Sequence, residues 1–212
     1  SRQVVAVELD HRLIAPLREA LAGFTNVTIC EGDMLKLSPD TLVDAVRYVV
    51  VANIPYYITS ALIRHLLEAN HKPTRMVLTV QQEVAERILA RDGKMSLLAL
   101  SVQVYGKPEL KARIPAGCFY PPPEVDSAVL SIELYEEPLV PSGSLDLFFK
   151  LAHAGFAQKR KTLRNTIATG MNKSPAWAEK LLNAAGIDPQ RRAETLNMQE
   201  WKKLVEAYQQ QS

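Results

Sequence analysis

Cysteine is scarce in this sequence: Cys30 and Cys118 are its two thiols, far apart and in no CxxC pair. That excludes a disulfide scaffold and leaves a structural zinc site nothing to build on, and both thiols read as reduced and buried. The four histidines, His11, His65, His71 and His153, show no ligand spacing either, so no metal is expected. No apolar run reaches the roughly 18–20 residues that a membrane-spanning helix needs. No charged-then-apolar segment opens the chain, and the two absences together predict no membrane partner and a cytoplasmic location. Internal repeats and low-complexity tracts are lacking as well.

What is present is an ordinary globular composition, 212 residues with 47% hydrophobic and 23% charged. That length supports one core, or an α/β domain with a smaller appendage. The net charge of +2 conceals an asymmetry. Residues 1–144 carry 14 Lys/Arg against 17 Asp/Glu, whereas residues 145–212 carry 11 against 6. A basic tail on a mildly acidic body suggests a polyanionic partner, with a solvated basic helix face as the alternative.

Along the first two-thirds, short β-branched runs alternate with helix-length segments. Strands are predicted over residues 3–8, 26–31, 47–52 and 75–80, and helices over 10–22, 60–69, 82–91 and 95–104. This rhythm predicts a parallel sheet covered on both faces. Residues 108–114 and 127–134 then read as two strands with a proline-rich loop and no helix between them, an antiparallel pair added to one edge. Residues 136–144, rich in Pro, Gly, Ser and charge, read as a linker. Beyond it the sequence reads as all helix. Ser174-Pro175 makes a helix start, and Asn197 with Glu200 resembles a capping box.

The most informative segment is Asn53-Ile54-Pro55-Tyr56, directly after a predicted strand. The carboxyl end of a parallel strand is where open α/β sheets hold ligands. An Asn–x–Pro–aromatic turn there suits methylation of an exocyclic amine. The adenine N6 lone pair is delocalised into the ring, so the nitrogen is a poor nucleophile. Two acceptors that take both N6 hydrogens can draw it toward a pyramidal, reactive geometry. The Asn53 side-chain oxygen and a carbonyl near Ile54-Pro55 could be those acceptors, with the proline fixing the turn. Tyr56 would stack on the extruded base. The competing reading is a strand-to-helix turn stiffened by Pro55, with its aromatics in the core.

Glu8 ends the first predicted strand, where an acid can accept from ribose hydroxyls; a solvated strand-end Glu would look the same. Asp33, after Gly32, sits at the next strand tip and could accept from a cofactor adenine while Met34 packs on its ring, although Gly-Asp is also a plain turn signal. In the loop Phe119-Tyr120-Pro121-Pro122-Pro123-Glu124-Val125-Asp126-Ser127, three prolines predict an extended path that presents Phe119 rigidly opposite Tyr56. The alternative is a connector whose Phe119 fills the core. In the tail, Lys159, Arg160, Lys161 and Arg164, reinforced by Arg191 and Arg192, read as phosphate contacts that give affinity without reading sequence.

Taken in order and spacing, these elements resemble the KsgA family of small-subunit ribosomal RNA adenine-N6,N6 dimethyltransferases. The resemblance is carried by the strand with Glu8, the Gly32-Asp33-Met34 turn, NIPYY at 53–57, VQQEVAERI at 80–88, FYPPPEVDSAV at 119–129, FAQKRKTLRN at 156–165 and RAETL at 192–196. It implies a Rossmann-like α/β methyltransferase domain, residues 1–138, and a small helical RNA-contacting domain, residues 145–212. It further implies S-adenosylmethionine as methyl donor, and as substrate two adjacent adenines near the 3′ end of small-subunit ribosomal RNA, presented on a pre-ribosomal particle to a monomer. By the same matching, Glu8 and Leu9 would border the cofactor ribose, Asp33 and Met34 its adenine, and Asn53 both cofactor and target. Ile54, Pro55, Tyr56 and Phe119 would hold the target base.

The sequence departs from that family at its start. None of the nine glycines forms a GxGxG loop, and the chain opens on what matches a second strand. This predicts residues upstream of Ser1, unpaired edges where a central strand is lacking, and weak or no cofactor binding by this chain alone. An Erm-like enzyme acting on large-subunit RNA, a DNA adenine methyltransferase and a non-catalytic RNA-binding assembly factor are the alternatives.

Overall fold

The computed structural model describes residues 1–91 and 93–211. Its strands are β1 (Val4–Glu8), β2 (Val27–Glu31), β3 (Val49–Asn53), β4 (Arg75–Gln81), β5 (Gly106–Ile114) and β6 (Ser127–Leu134). Its helices are α1 (His11–Ala20), α2 (Pro39–Leu42), α3 (Thr59–Glu68), α4 (Gln82–Leu89), α5 (Leu97–Gln103), α6 (Leu145–Phe156), α7 (Leu163–Gly170), α8 (Pro175–Ala184) and α9 (Met198–Gln210).

The strands form two sheets. β1 pairs with β2 in parallel, and the second sheet runs β3-β4-β6-β5 with β3 and β4 parallel and β6 antiparallel to both neighbours. The antiparallel pair therefore adds to one edge of β3-β4, as its proline-rich connection predicts. The single parallel sheet covered on both faces does not hold. β1 and β3 each keep one edge unpaired among the described residues, and one face of β3 is open, with Val51 77% exposed. β-branched residues at alternate positions make a strand whether or not anything covers them, so the pattern predicts the strand and not its cover.

The core lies on the other side of that division. Met76, Leu78 and Val80 of β4 and Ala128, Leu130 and Ile132 of β6 are fully buried, the period-2 alternation of a sheet face. Leu62, Ile63, Leu66 and Leu67 of α3 pack against the same cluster, at the i, i+3, i+4 spacing of a helix stripe. Each such side chain contributes about 1.5–3 kcal/mol of burial. The cluster continues into the C-terminal helices through Phe148, Leu151, Ile167, Leu182, Trp201 and Leu204.

Helix starts follow the sequence closely. Asp10 caps α1 by accepting the Arg12 amide. Ser174 caps α8 with Pro175 at its first position, and Asn197 and Glu200 close a complete capping box on α9. Three expectations need correction. Residues 136–144 are docked and not a free linker: Val140 is fully buried and the Leu139 amide donates to the Val104 carbonyl. Cys118 is exposed and Cys30 half-buried, so neither thiol is a core residue. The basic run at 159–161 lies in the turn between α6 and α7, because α6 ends at Phe156.

Candidate active site

Four chain segments meet at one end of the four-stranded sheet. β3 and β4 arrive there by their carboxyl ends, at Asn53 and Gln81, while β5 ends and β6 begins there, Ile114 pairing with Ser127. The turn after β3 is built as its residues dictate. The Ile54 side chain is buried and its amide donates to the Thr79 carbonyl, anchoring the turn to β4. Pro55 is extended and caps a 3-10 turn over Tyr56–Ile58, from which α3 continues. With Ile54 pinned inward, its neighbours Asn53 and Pro55 are exposed.

The Asn53 side chain has no hydrogen-bond partner among the described residues and faces solvent at the tip of β3. Its amide group is therefore uncommitted. Tyr56 is half-buried, and its hydroxyl lies 2.6 Å from Ser127 Oγ at the start of β6. Phe119 is half-buried in the preceding loop, so it does not serve as a core residue. That loop is not an unbroken polyproline II path, since the Tyr120–Pro121 peptide is cis. Asp126 closes it at the base by accepting the Ala116 amide at 2.9 Å. Sequence reasoning passed over two aromatic neighbours: Tyr57 is 85% and Tyr120 100% exposed. Their positions next to Tyr56 and Phe119 were the available signal.

Glu8 and Asp33 come together at the carboxyl ends of β1 and β2, where the Gly32 amide donates to the Glu8 carbonyl at 2.8 Å. Glu8 Oε1 accepts the Asp10 amide at 2.8 Å, and the other carboxylate oxygen has no partner among the described residues. Asp33 Oδ1 accepts the Leu35 amide at 3.0 Å, so half of its carboxylate is spent on its own turn. Met34 is half-buried against the core and Leu9 is exposed. The turn is held beside α3 by His65, whose Nε2 is 2.8 Å from the Leu37 carbonyl.

The basic residues also converge. The Leu163 amide donates to the Arg191 carbonyl and the Arg164 amide to the Pro189 carbonyl, so the 159–164 and 191–192 segments are neighbours. Their side chains differ in availability. Lys159, Arg160 and Lys161 are exposed and in no ion pair among the described residues. Arg164 pairs with Glu179 at 3.1 Å, Arg192 approaches Glu194 at 4.0 Å, and Arg191 is bound to Glu200. Two cavities lie apart from Asn53. One of about 450 Å³ is lined by Glu68, Tyr105, Glu137 and Asp146, and one of about 680 Å³ by Ser60, Arg64, His65 and Arg87. Among the described residues no His, Cys, Asp or Glu group is placed to hold a metal ion, and no helix is long and apolar enough to cross a membrane.

Residues 1–210 match the ribosomal RNA adenine dimethylase family. This chain belongs to that family. Among its relatives is the ribosomal RNA small subunit methyltransferase A of Dehalococcoides mccartyi strain CBDB1, 52% identical over 97% of this chain and 71% of the relative. The protein of the same name from Moorella thermoacetica is 42% identical over 97% of this chain and 75% of its own length. A dimethyladenosine transferase from Plasmodium falciparum superposes with a TM-score of 0.81 at 25% identity, covering 98% of this chain and 82% of that one. The 23S ribosomal RNA methyltransferase ErmE does so with 0.77 at 26% identity and the same coverage. Dimethylase membership makes the fold Rossmann-like α/β with a helical C-terminal region, and implies a methyl donor of the S-adenosylmethionine type.

Proposed function

We propose that this chain is a ribosomal RNA adenine-N6 dimethyltransferase that methylates two adjacent adenines near the 3′ end of small-subunit RNA. The observation that carries this reading is the uncommitted Asn53 amide beside the proline-fixed Ile54 carbonyl, at the carboxyl end of a parallel strand. Residues 1–138 act as the methyltransferase domain and residues 145–212 as the RNA-contacting domain, in a monomeric cytoplasmic protein working on a pre-ribosomal particle.

The residues present fit the nucleoside half of the donor. Glu8 keeps a carboxylate oxygen free for ribose hydroxyls, Asp33 Oδ2, approached by the exposed Lys36 ammonium at 3.8 Å, would accept from an adenine amine, and Met34 offers an apolar surface. Leu9 and Asn53 would border the same half. When bound, S-adenosylmethionine supplies a methyl group already activated on a sulfonium. Asn53 and the Ile54 carbonyl accept the two N6 hydrogens of the target adenine and turn the nitrogen lone pair outward. Tyr56 and Phe119 hold the extruded base, each stack contributing about 1–3 kcal/mol. Fixing both partners in line can remove about 7–11 kcal/mol of barrier. The N6 proton leaves to water after transfer, because a methylated aminium is acidic, so no strong base is required of the chain. Lys159, Arg160 and Lys161 neutralise RNA phosphates.

Substituting Asn53→Ala in the intact protein tests this. Labelled methyl transfer to small-subunit RNA should fall at least about a thousandfold while RNA affinity changes less than about twofold. Transfer that survives the substitution sinks the assignment. An intact wild-type protein that binds RNA and transfers nothing would instead make it an assembly factor.

A further inference from the structure

Asp126 and Ser127 tie together three loops at the site. Ser127 is completely buried, and its hydroxyl meets that of Tyr56 across 71 residues of sequence. Neither hydroxyl has another partner among the described residues, so each satisfies the other. Their separation of 2.6 Å is at the short end for an O–H···O bond. Asp126 Oδ1 closes the base of the Phe119 loop at the Ala116 amide. The Asp126 carbonyl accepts the Gln82 amide at 2.9 Å, which fastens the same loop to the start of α4.

Ser127, with no exposed surface, cannot itself touch RNA. It can act on a bound base only through Tyr56. A tyrosine ring that must stack loses rotamer freedom on binding, and a bond that removes this freedom beforehand shifts the cost to folding. An alanine at 127 would free the ring and leave a phenolic hydroxyl unmatched.

Building on the base-holding reading above, we propose that Asp126 and Ser127 are positioning residues for methyl transfer. Ser127 fixes the Tyr56 ring through its hydroxyl, and Asp126 fixes the loop that carries Phe119, so both aromatics are ordered before RNA arrives.

The test uses the intact protein with two small-subunit RNA hairpins, one with adenine at the target position for the kinetics and one with 2-aminopurine, which has no N6 amine to methylate, for the fluorescence. Ser127→Ala, Tyr56→Phe, their double variant, Tyr56→Ala, Asp126→Ala and Asp126→Asn are compared in kcat, KM, fluorescence quenching and thermal midpoint. Ser127→Ala and Tyr56→Phe should each lower kcat about 5- to 20-fold and weaken quenching, with KM within about twofold; the double variant should be no worse than either single, the signature of one shared bond. Asp126→Asn, which keeps the Oδ1 acceptor, should behave as wild type where Asp126→Ala does not. If Ser127→Ala fails to fold, Tyr56→Phe removes the same bond from its half-exposed side. Unchanged kcat and quenching in Tyr56→Phe, with Tyr56→Ala inactive, overturns the positioning role and leaves the base-holding reading intact. A fully active Tyr56→Ala overturns both.

Discussion

Arg191 lays its guanidinium on the Glu200 carboxylate while Glu200 also serves as the third residue of the capping box that starts α9. One carboxylate thus accepts from a side chain and from the Asn197 amide at 2.8 Å. Burial works against its ionisation, but the Arg191 and Asn197 donors outweigh burial and hold the carboxyl below its ordinary value. A depressed carboxyl contributes stability that is present above the ordinary carboxylate range and is lost as pH falls through the folded value. Glu200→Ala should cost about 1–3 kcal/mol at pH 7. Thermal melts should show the difference from wild type shrinking in acid; a pH-independent difference would rule out the ionic contribution.

That pairing separates Arg191 from the three cations of the turn between α6 and α7. Lys159, Arg160 and Lys161 are free to release counterions from RNA, whereas Arg191 is engaged. Replacing the three free cations with alanine should flatten the plot of log affinity against log salt by about 2–3. Arg191→Ala should leave that slope unchanged, where loss of a phosphate-contacting cation would flatten it by about 0.7–0.9, and lower the melting temperature instead. Filter binding at several salt concentrations reads both. A slope flattened by about 0.7–0.9 in Arg191→Ala would remove the distinction.

These contrasts mark what the sequence exposes and what it conceals. Asn197 with Glu200, and Ser174 with Pro175, were legible because capping is decided within three or four residues. The strand at 127–134 and the Asn53 turn were legible for the same local reason. Arg191 looked like Lys159 because ion pairing depends on which residue the chain returns to it. The Tyr56–Ser127 bond joins residues 71 apart, and no spacing rule reaches that far. Val51 reads as core by residue type, yet it stands open because its cover is a matter of neighbouring segments. Cys118 was misplaced inside by composition for the same reason.

Tyr48 offers a pH probe remote from the site. Its hydroxyl donates to the His71 carbonyl at 2.8 Å, and its ring meets the His71 ring edge-on at 4.8 Å. Burial first, and the nearby Asp40 carboxylate second, push the phenol from 10.0 up to about 12. A raised phenol contributes stability fully present below its ordinary value and lost as pH climbs through the folded value. Tyrosinate absorbance should therefore show a late-titrating component near pH 12 that shrinks in Tyr48→Phe, while Tyr105, whose phenol is also raised by burial, still titrates late. The variant should also melt about 0.5–1.5 kcal/mol less stably at neutral pH, with the His71 carbonyl unpaired. Absorbance lost near pH 10 and not near pH 12 in Tyr48→Phe would show that Tyr48 ionises freely.

Helix packing in the tail depends on a missing side chain. A Cβ built on Gly170, the last residue of α7, would lie 2.3 Å from Ala154 Cβ and 2.7 Å from Ala154 Cα on α6. The obstruction includes backbone, so it cannot be relieved by a rotamer change. Gly170→Ala must push α7 away from α6, and overpacking of this kind costs about 1–3 kcal/mol. Adding Ala154→Gly removes one of the two clashing methyls and should recover part of that loss, although glycine inside α6 brings its own cost of about 1 kcal/mol. The double variant should thus melt above Gly170→Ala and below wild type. Because α7 begins at the basic turn, the same shift should weaken RNA binding even though no cation is altered. A Gly170→Ala protein with wild-type stability would show that α6 and α7 do not pack this closely.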